Sequence, residues 1–310
     1  MKERQLWAII LAGGEGSRLV ETTRRIYGTC LPKQFLTFGQ ARTFLQTTVD
    51  RLQGLIEPKN TVCVVAARHE EVAREQLAEF PGVEFVAQPR NAGTGPGVLL
   101  PLVHVLARDS RADVALVPSD HDFRAPEAMR RALLQAKRST DTTSTGMVLL
   151  GARAEYPASD LGWIIPKHLR GKDGVRRIDA FVEKPAPSLA EKLFEQGALW
   201  NTMLSVARAE SLWRLGVRHL PTQAASLARY ANFARSSRAA DELRQAYEGM
   251  LAADFSRDLV TPAVGLRVAA MADSGWSDCG TPERLAAAFG DGPSSSKTVA
   301  ALRATAELRA

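Results

Sequence analysis

The sequence predicts an α/β fold organised around a doubly wound, mostly parallel sheet. Three observations point there. Apolar runs of strand length alternate with helical patterns through the first two-thirds of the chain, and such alternation implies right-handed crossovers between parallel strands. The first run, Ala8-Ile9-Ile10-Leu11, stops abruptly at Gly13-Gly14-Glu15-Gly16, and sheets of this kind bind ligands just beyond the carboxyl ends of their strands. At 310 residues, 45% hydrophobic and 24% charged, the chain can bury an ample core.

Strands are expected at 7–11, 61–66, 83–87, 114–117 and 147–151, each a short apolar run. Helices are expected between them at 43–53, 69–79, 97–109 and 126–140. From about Ala152 the rhythm changes. Strand-like pieces at 162–166 and 175–183 alternate with loops, as an inserted subregion would. Helical patterns return at 188–196 and across 209–255, where alanine and arginine dominate. A last strand-like piece at 266–270 leads into SGWSDCGTPERL. Residues 290–296, GDGPSSS, have linker composition, and 297–310 read as a short helix or frayed tail. The expected division is one catalytic domain over 1–290 and a linker with tail over 291–310.

Composition narrows the function. The net charge of +6 is spread over Arg-rich helical segments, a modest field that attracts phosphorylated small molecules. No aromatic-interleaved basic patch marks a nucleic-acid reader. Cys30, Cys63 and Cys279 lack the spacing of a zinc site or disulfide framework. The N-terminal apolar run is too short for a signal peptide, and no run reaches membrane-spanning length, so a cytoplasmic location with no membrane partner is expected.

A strand that breaks into glycines exposes backbone N–H groups with no Cβ in the way, which suits a phosphate. Arg18 and Lys33 add two cations, and a triphosphate fits this better than a neutral ligand. A dinucleotide fingerprint would need glycine where Leu19 stands, and the Gly-Lys-Ser/Thr of a P-loop is missing. Read alone, the glycines also suit a plain tight turn.

The stretch AIILAGGEGSRL, followed after twelve residues by PKQF, resembles the signature of the sugar-nucleotide pyrophosphorylases, LAGGxGxRL followed by PK. The PKQF ending resembles the mannose-1-phosphate guanylyltransferase branch. Further motifs stand in the family's order over roughly residues 7–288: RN, PSDH, GW, FVEKP, WN and WSD. The resemblance implies a Rossmann-like sheet of the nucleotide-diphospho-sugar transferase type with an inserted sugar-binding subregion over the pieces at 162–183. It implies transfer of a nucleotidyl group from an NTP, GTP in this branch, to a sugar 1-phosphate, here mannose 1-phosphate, with release of pyrophosphate. One departure is VETTRRIYGTC at 20–30, a few residues longer than the family's loop, which leaves the lid over the triphosphate open to reshaping.

Such chemistry needs alignment and charge neutralisation more than acid–base groups, because the attacking phosphate oxygen is already anionic. By resemblance, Leu11, Ala12, Gly13, Gly14, Gly16 and Ser17 cradle the nucleotide, and Arg18 and Lys33 hold the departing β,γ-phosphates. Asp120, in VALVPSDHDF, and Asp278, in GWSDCGTPERL, hold Mg2+, a cation that favours sparse carboxylate ligation completed by phosphate and water. Alone, Asp120 reads as a helix cap, although Asp122 is better placed to cap the helix that follows. Cys279 lies inside the second motif without a mark of a nucleophile. His121 reads as support for Asp120, and the five histidines share no metal-ligand spacing.

The loop QPRNAGTGPG, 88–97, is expected to read the base through Gln88 and Asn91. Arg90-Asn91 is similar to the guanylyltransferase RN, whereas Gln88-Pro89 is similar to the thymidylyl- and uridylyltransferases. Because an amide both donates and accepts, the base stays open. In FVEKP, Lys184 would contact the sugar phosphate as a compact charge and Glu183 the sugar hydroxyls. Asn201 of Trp200-Asn201 and the backbone of Gly162 would complete the sugar site, with Trp200 equally fit for the core. Two alternatives stand beside this reading: a thymidylyl- or uridylyltransferase acting on glucose 1-phosphate, and a regulatory protein that binds nucleotide sugars without turnover. The second would be expected to lose Arg18, Lys33 or an aspartate, and all four residues are present. A homo-oligomer is left open.

Overall fold

The computed structural model describes residues 3–171, 173–289 and Leu302. Strand β1 (Leu6–Ala12) is followed by α1 (Val20–Tyr27), α2 (Phe44–Leu52), β2 (Thr61–Ala66), α3 (Glu70–Gln76), β3 (Glu84–Gln88), α4 (Thr94–Arg108) and β4 (Asp113–Pro118). Next come β5 (Asp122–Phe123), α5 (Pro126–Ser139), β6 (Met147–Arg153), β7 (Gly162–Arg170), β8 (Arg176–Glu183), α6 (Pro187–Glu195) and β9 (Leu199–Arg208). Helices α7 (Ala209–His219), α8 (Pro221–Ala231) and α9 (Ala239–Tyr247) precede a π-helical turn, Phe255–Val260. The described part closes with β10 (Arg267–Met271), β11 (Trp276–Ser277) and α10 (Pro282–Phe289).

Nine strands form one sheet in the order β3-β2-β1-β4-β9-β6-β10-β8-β7, while β5 pairs with β11 apart from it. The half β3-β2-β1-β4 is parallel, as the alternating pattern predicts. Beyond it, β9 runs antiparallel between β4 and β6, and β8 runs antiparallel to both β7 and β10. Layering explains the sequence of β1. Leu6, Ala8, Ile10 and Ala12 face a cluster with Leu45, Val49 and Met129 of α2 and α5, while Trp7 and Ile9 face Leu99, Leu212 and Leu227 of α4, α7 and α8. A parallel strand covered on both faces reads as a continuous apolar run.

The longer segment after Arg18, whose effect on the lid the sequence leaves open, folds as α1, with Gly28 (φ 67°) capping its end in the left-handed region. The structure corrects several expectations. Helix α4 starts at Thr94 rather than residue 97, because Pro96 falls in the first turn, where no backbone donor is needed. The expected helix at 69–79 is a 3-10 turn, Ala67–His69, followed by the shorter α3. The pattern at 209–255 resolves into three helices before the π turn. Strand β9 was not expected beyond its Trp200-Asn201 pair; it is buried at eight of its positions, so it shows no alternation to read. Asp122 does not cap α5, whose N-cap is Ala125; it lies in β5 and binds Arg51 at 2.7 Å.

A third cluster joins Leu19, Phe38, Phe44 and Cys279 to Leu285 of α10 and to Leu302. Apart from Leu302, the linker and tail expected over 291–310 lie outside the described residues. Among the described residues no helix is long and apolar enough to cross a membrane.

Candidate functional site

One cavity of about 450 Å3 opens beyond the ends of β1, β3 and β4. At one end it is lined by Leu11, Gly13, Gly14, Gln88, Asn91 and Gly97. At the other end stand Gly162, Glu183, Lys184, Asn201, Met203 and Ser256. Between them lie Arg18, Asp120 and Asp278. Ala12, Gly16, Ser17 and Lys33 are not on this wall, and each has a structural reason. Gln34 donates from Nε2 to the carbonyls of Ala12 (3.0 Å) and Gly14 (2.8 Å), so Ala12 helps fix the turn from behind. Gly16 (φ 64°) reverses the chain against Pro32, where a Cβ would stand 3.2 Å from Pro32 Cα. Ser17 lines a separate surface hollow with Glu15, Cys30 and Arg68.

Lys33 is buried beneath the two aspartates. Its Nζ lies 3.3 Å from Asp120 Oδ2 and donates to the main-chain carbonyl of Asp278. Asp120 is held in place because the Ser119 hydroxyl donates to Leu11 O at 2.9 Å. Behind it, His121 Nδ1 accepts from Trp276 Nε1 at 3.2 Å, which puts the ring proton on Nε2, 3.7 Å from Asp120. Burial lowers the pKa of His121 to about 4, so the ring is neutral where it packs behind Asp120.

Asp278 accepts from Arg284 at 2.7 Å, and Arg18 Nη2 lies 3.7 Å from it. Burial works against its charge, but Arg284 above all, with Lys33, outweighs it and holds the carboxyl below the usual range. Arg284 also reaches Asp160 at 2.5 Å, tying the loop before β7 to the loop that carries Asp278. Cys279 is buried, and desolvation pushes its thiol up to about 12, which agrees with the absence of nucleophile character. The described residues hold no group of three or more His, Cys, Asp or Glu side chains that would bind a metal unaided. Asp120 and Asp278 instead offer two hard oxygen donors on one wall. That donor set fits Mg2+ completed by phosphate and water, and it does not suit a thiolate- or imidazole-bound metal.

At the nucleotide end, Asn91 Oδ1 accepts from Gly93 N at 2.9 Å. Arg90 turns away from the cavity and donates to the main-chain carbonyl of Tyr247, so its motif partner Asn91 alone faces in. At the other end, Gly162, Glu183 and Asn201, the three residues expected to face a sugar, converge. A Cβ on Gly162 would stand 2.7 Å from Glu183 Oε2 and 3.2 Å from Asn201 Cβ. Desolvation raises the pKa of Glu183 against the pull of Lys184, 3.8 Å away. Asn201 accepts from Met203 N (3.2 Å) and donates to Ser256 Oγ (3.4 Å). Lys184 (φ 47°) and Met203 (φ 60°) sit in the left-handed region, and the β6–β9 register breaks beside Asn201. Backbone strain and bulges of this sort gather where side chains are aimed at a ligand. Trp200 belongs to the core, 3% exposed and edge-on to Tyr156.

Sequence reasoning missed Thr94, Asp160, Met203, Asp254 and Ser256 on the cavity wall and Arg284 behind it. The proline and glycine of the 88–97 loop concealed the helix start at Thr94. Asp254 caps the π turn and Ser256 lies within it, and the register of that turn has no periodic signature.

The sequence and fold match known proteins. The chain is 31% identical over 220 residues to alginate biosynthesis protein AlgA of Pseudomonas syringae, covering 69% of this chain and 44% of that one. It is 28% identical to a putative mannose-1-phosphate guanylyltransferase of Vibrio cholerae, over 88% of this chain and 58% of the relative. Thus it spans about half the length of these relatives. Its structure superposes on mannose-1-phosphate geranyltransferase from Thermus thermophilus with a TM-score of 0.79 at 27% identity, covering 93% of this chain and 80% of that one. Residues 7–293 match the nucleotidyl transferase family, and the chain belongs to it.

Proposed function

We propose that this protein transfers a guanylyl group from GTP to mannose 1-phosphate in the cytoplasm, releasing pyrophosphate. The observation that carries the reading is one continuous cavity with nucleotide-type residues at one end, sugar-type residues at the other, and Arg18, Asp120 and Asp278 between them. The relatives' names support guanine and mannose as the partners.

The reaction is an in-line displacement. An oxygen of the sugar phosphate bonds to the α-phosphorus, and the bond from that phosphorus to the pyrophosphate oxygen breaks. The backbone of Gly13 and Gly14 lines the path of the triphosphate, and Arg18 offers its guanidinium to the departing phosphates. Lys184 projects toward the sugar phosphate, while Glu183 and Asn201 fix the sugar hydroxyls. Alignment of this kind supplies most of the rate enhancement in phosphoryl chemistry. Asp120 and Asp278 would hold Mg2+, which supplies charge neutralisation at the α-phosphate. Lys33 keeps both aspartate loops together from below.

Pyrophosphate release with Mg2+, crossing GTP, ATP, UTP and dTTP with mannose 1-phosphate and glucose 1-phosphate, tests the reading. Release confined to GTP with mannose 1-phosphate is expected. Release with another pair keeps the transfer and overturns the specificity. Binding of GDP-mannose without release by any pair overturns the transfer itself.

A further inference from the structure

Asp278 and Asp160 stand between two arginines, one behind the cavity wall and one on it. Behind, Arg284 donates from Nη1 to Asp278 Oδ1 at 2.7 Å and from Nη2 to Asp160 Oδ1 at 2.5 Å. On the cavity side, Arg18 lies 3.7 Å from Asp278 Oδ2 and 3.6 Å from Asp160 Oδ2. The contacts to the largely buried Arg284 are short, and those to the exposed Arg18 are long. Each aspartate therefore gives one oxygen to Arg284 and turns the other toward the cavity.

The neighbours of Asp278 divide its two oxygens in the same way. Gly280 N donates to Oδ1 at 3.0 Å, so that oxygen carries two donors. At Oδ2 the same glycine leaves room, since a Cβ there would clash with that oxygen. Lys33 donates to the main-chain carbonyl of Asp278, which fixes the loop rather than the carboxylate. Arg284 stands in the first turn of α10, where a cation opposes the helix dipole, so the two carboxylates and not the helix account for its position. Its guanidinium also lies 5.9 Å from the ring centre of Tyr156, in the loop that leads to Asp160. That loop continues into Gly162, and both Asp160 and Gly162 line the cavity.

We infer that Arg284 is a positioning residue for both ends of the reaction site: it turns Oδ2 of Asp278 toward the metal and, through Asp160, holds the loop that places Gly162 at the sugar. The inference rests on Asp278 holding the metal and Gly162 facing the sugar, as proposed above. A ligating carboxylate is aimed by the donor behind it, and its metal affinity depends on that donor. One planar guanidinium can bridge two carboxylates on separate loops, whereas the compact ammonium of a lysine cannot reproduce that fork. The field of Arg284 works the other way, because a cation beside Asp278 repels a metal ion. Geometry and field therefore predict opposite signs when the charge is removed.

The test follows free Mn2+ by electron paramagnetic resonance as the full chain is added, which reads the metal site without turnover, alongside the pyrophosphate assay. Arg284→Lys keeps the charge and loses the fork, and it should weaken Mn2+ binding about ten- to a hundredfold. It should also raise the KM for the sugar 1-phosphate about tenfold. Arg284→Met should weaken Mn2+ binding as well, against the sign of the field. Asp160→Ala should raise the sugar-phosphate KM and leave Mn2+ binding unchanged, and adding Arg284→Lys to it should raise that KM no further. A folded Arg284→Lys that binds Mn2+ like the parent overturns the inference, as does tighter binding by Arg284→Met or an additive rise in KM. If both Arg284 variants unfold, Asp160→Ala decides, and an unmoved KM overturns the inference. Mn2+ binding lost in Asp278→Asn but kept in Arg284→Lys overturns the role of Arg284 and leaves the metal site standing. Equal Mn2+ binding by the parent and Asp278→Asn overturns the metal reading itself, and the inference with it.

Discussion

Adding one methyl group at Gly162 tests the sugar subsite with little disturbance elsewhere. Gly162 opens β7 opposite Glu183 at the end of β8, and its φ lies outside the left-handed region, so alanine adopts the same backbone. The cost is steric. The new Cβ would meet Glu183 Oε2 at 2.7 Å, and Asn201 Cβ and Phe181 Cζ at 3.2 Å. The carboxylate is the far end of a flexible chain and turns aside for about 0.5–1.5 kcal/mol. The two carbons must each give by a few tenths of an ångström, which brings the total into the usual overpacking range of about 1–3 kcal/mol. For a domain of this size that lowers Tm by only a few degrees, at roughly 2–4 °C per kcal/mol. The fold survives, but Glu183 and Asn201, the two side chains proposed to face the sugar, are moved. With about 1.4 kcal/mol per decade, the KM for the sugar 1-phosphate should rise about ten- to a hundredfold while that for the NTP stays put. Pyrophosphate release, varying each substrate at saturation of the other, measures both, with a thermal melt run in parallel. A sugar-phosphate KM within about twofold of the parent in a folded variant would refute the reasoning, and so would equal rises in both constants.

Other perturbations separate the remaining roles. Asp120→Asn and Asp278→Asn should each lower kcat on the order of a hundredfold or more with the fold intact; near-normal turnover in either removes that aspartate from the metal site. Lys184→Ala should raise the KM for the sugar 1-phosphate with little change in that for the NTP, and an unchanged constant counts against its contact with the phosphate. Alkylation with iodoacetamide at pH 8, read by mass spectrometry, should label exposed Cys30, while buried Cys63 and Cys279, their thiols pushed up to about 12, react only after denaturation. Rapid labelling of Cys279 in the native protein would contradict its packing beside Leu19 and Leu285.

Residues at strand ends were the ones legible in the sequence. Gly13, Gly14, Asp120 and Glu183 follow apolar runs directly, so their motifs and their places in the cavity coincide. Strand β9 was hidden because a strand buried on both faces and carrying Asn201, Thr202 and Ser205 matches neither period. Thr94, Asp254 and Ser256 were hidden for another reason. Thr94 Oγ1 accepts from Phe255 N at 2.8 Å, and Gly95 N donates to Ala253 O at 2.8 Å, so this wall exists only where two segments some 160 residues apart meet. No local pattern encodes that meeting. The sole hint was Gly93, whose position leaves no room for a Cβ against Ala253 O.

Lys33 shows how charge can be legible while its use is not. As a lysine after the glycine-rich turn it invites assignment to a phosphate, yet its side chain is 6% exposed and already engaged by Asp120 and by the carbonyl of Asp278. Pulling it toward a phosphate would take this buried ammonium away from both partners, the one-third-exposed Asp120 carboxylate and the Asp278 carbonyl. Arg18 differs: its side chain is 59% exposed, it lines the cavity, and its contacts to Asp160 and Asp278 are long, at 3.6 and 3.7 Å. The two cations therefore stand differently: Arg18 lies on the cavity wall, whereas Lys33 joins the Asp120 and Asp278 loops from behind it.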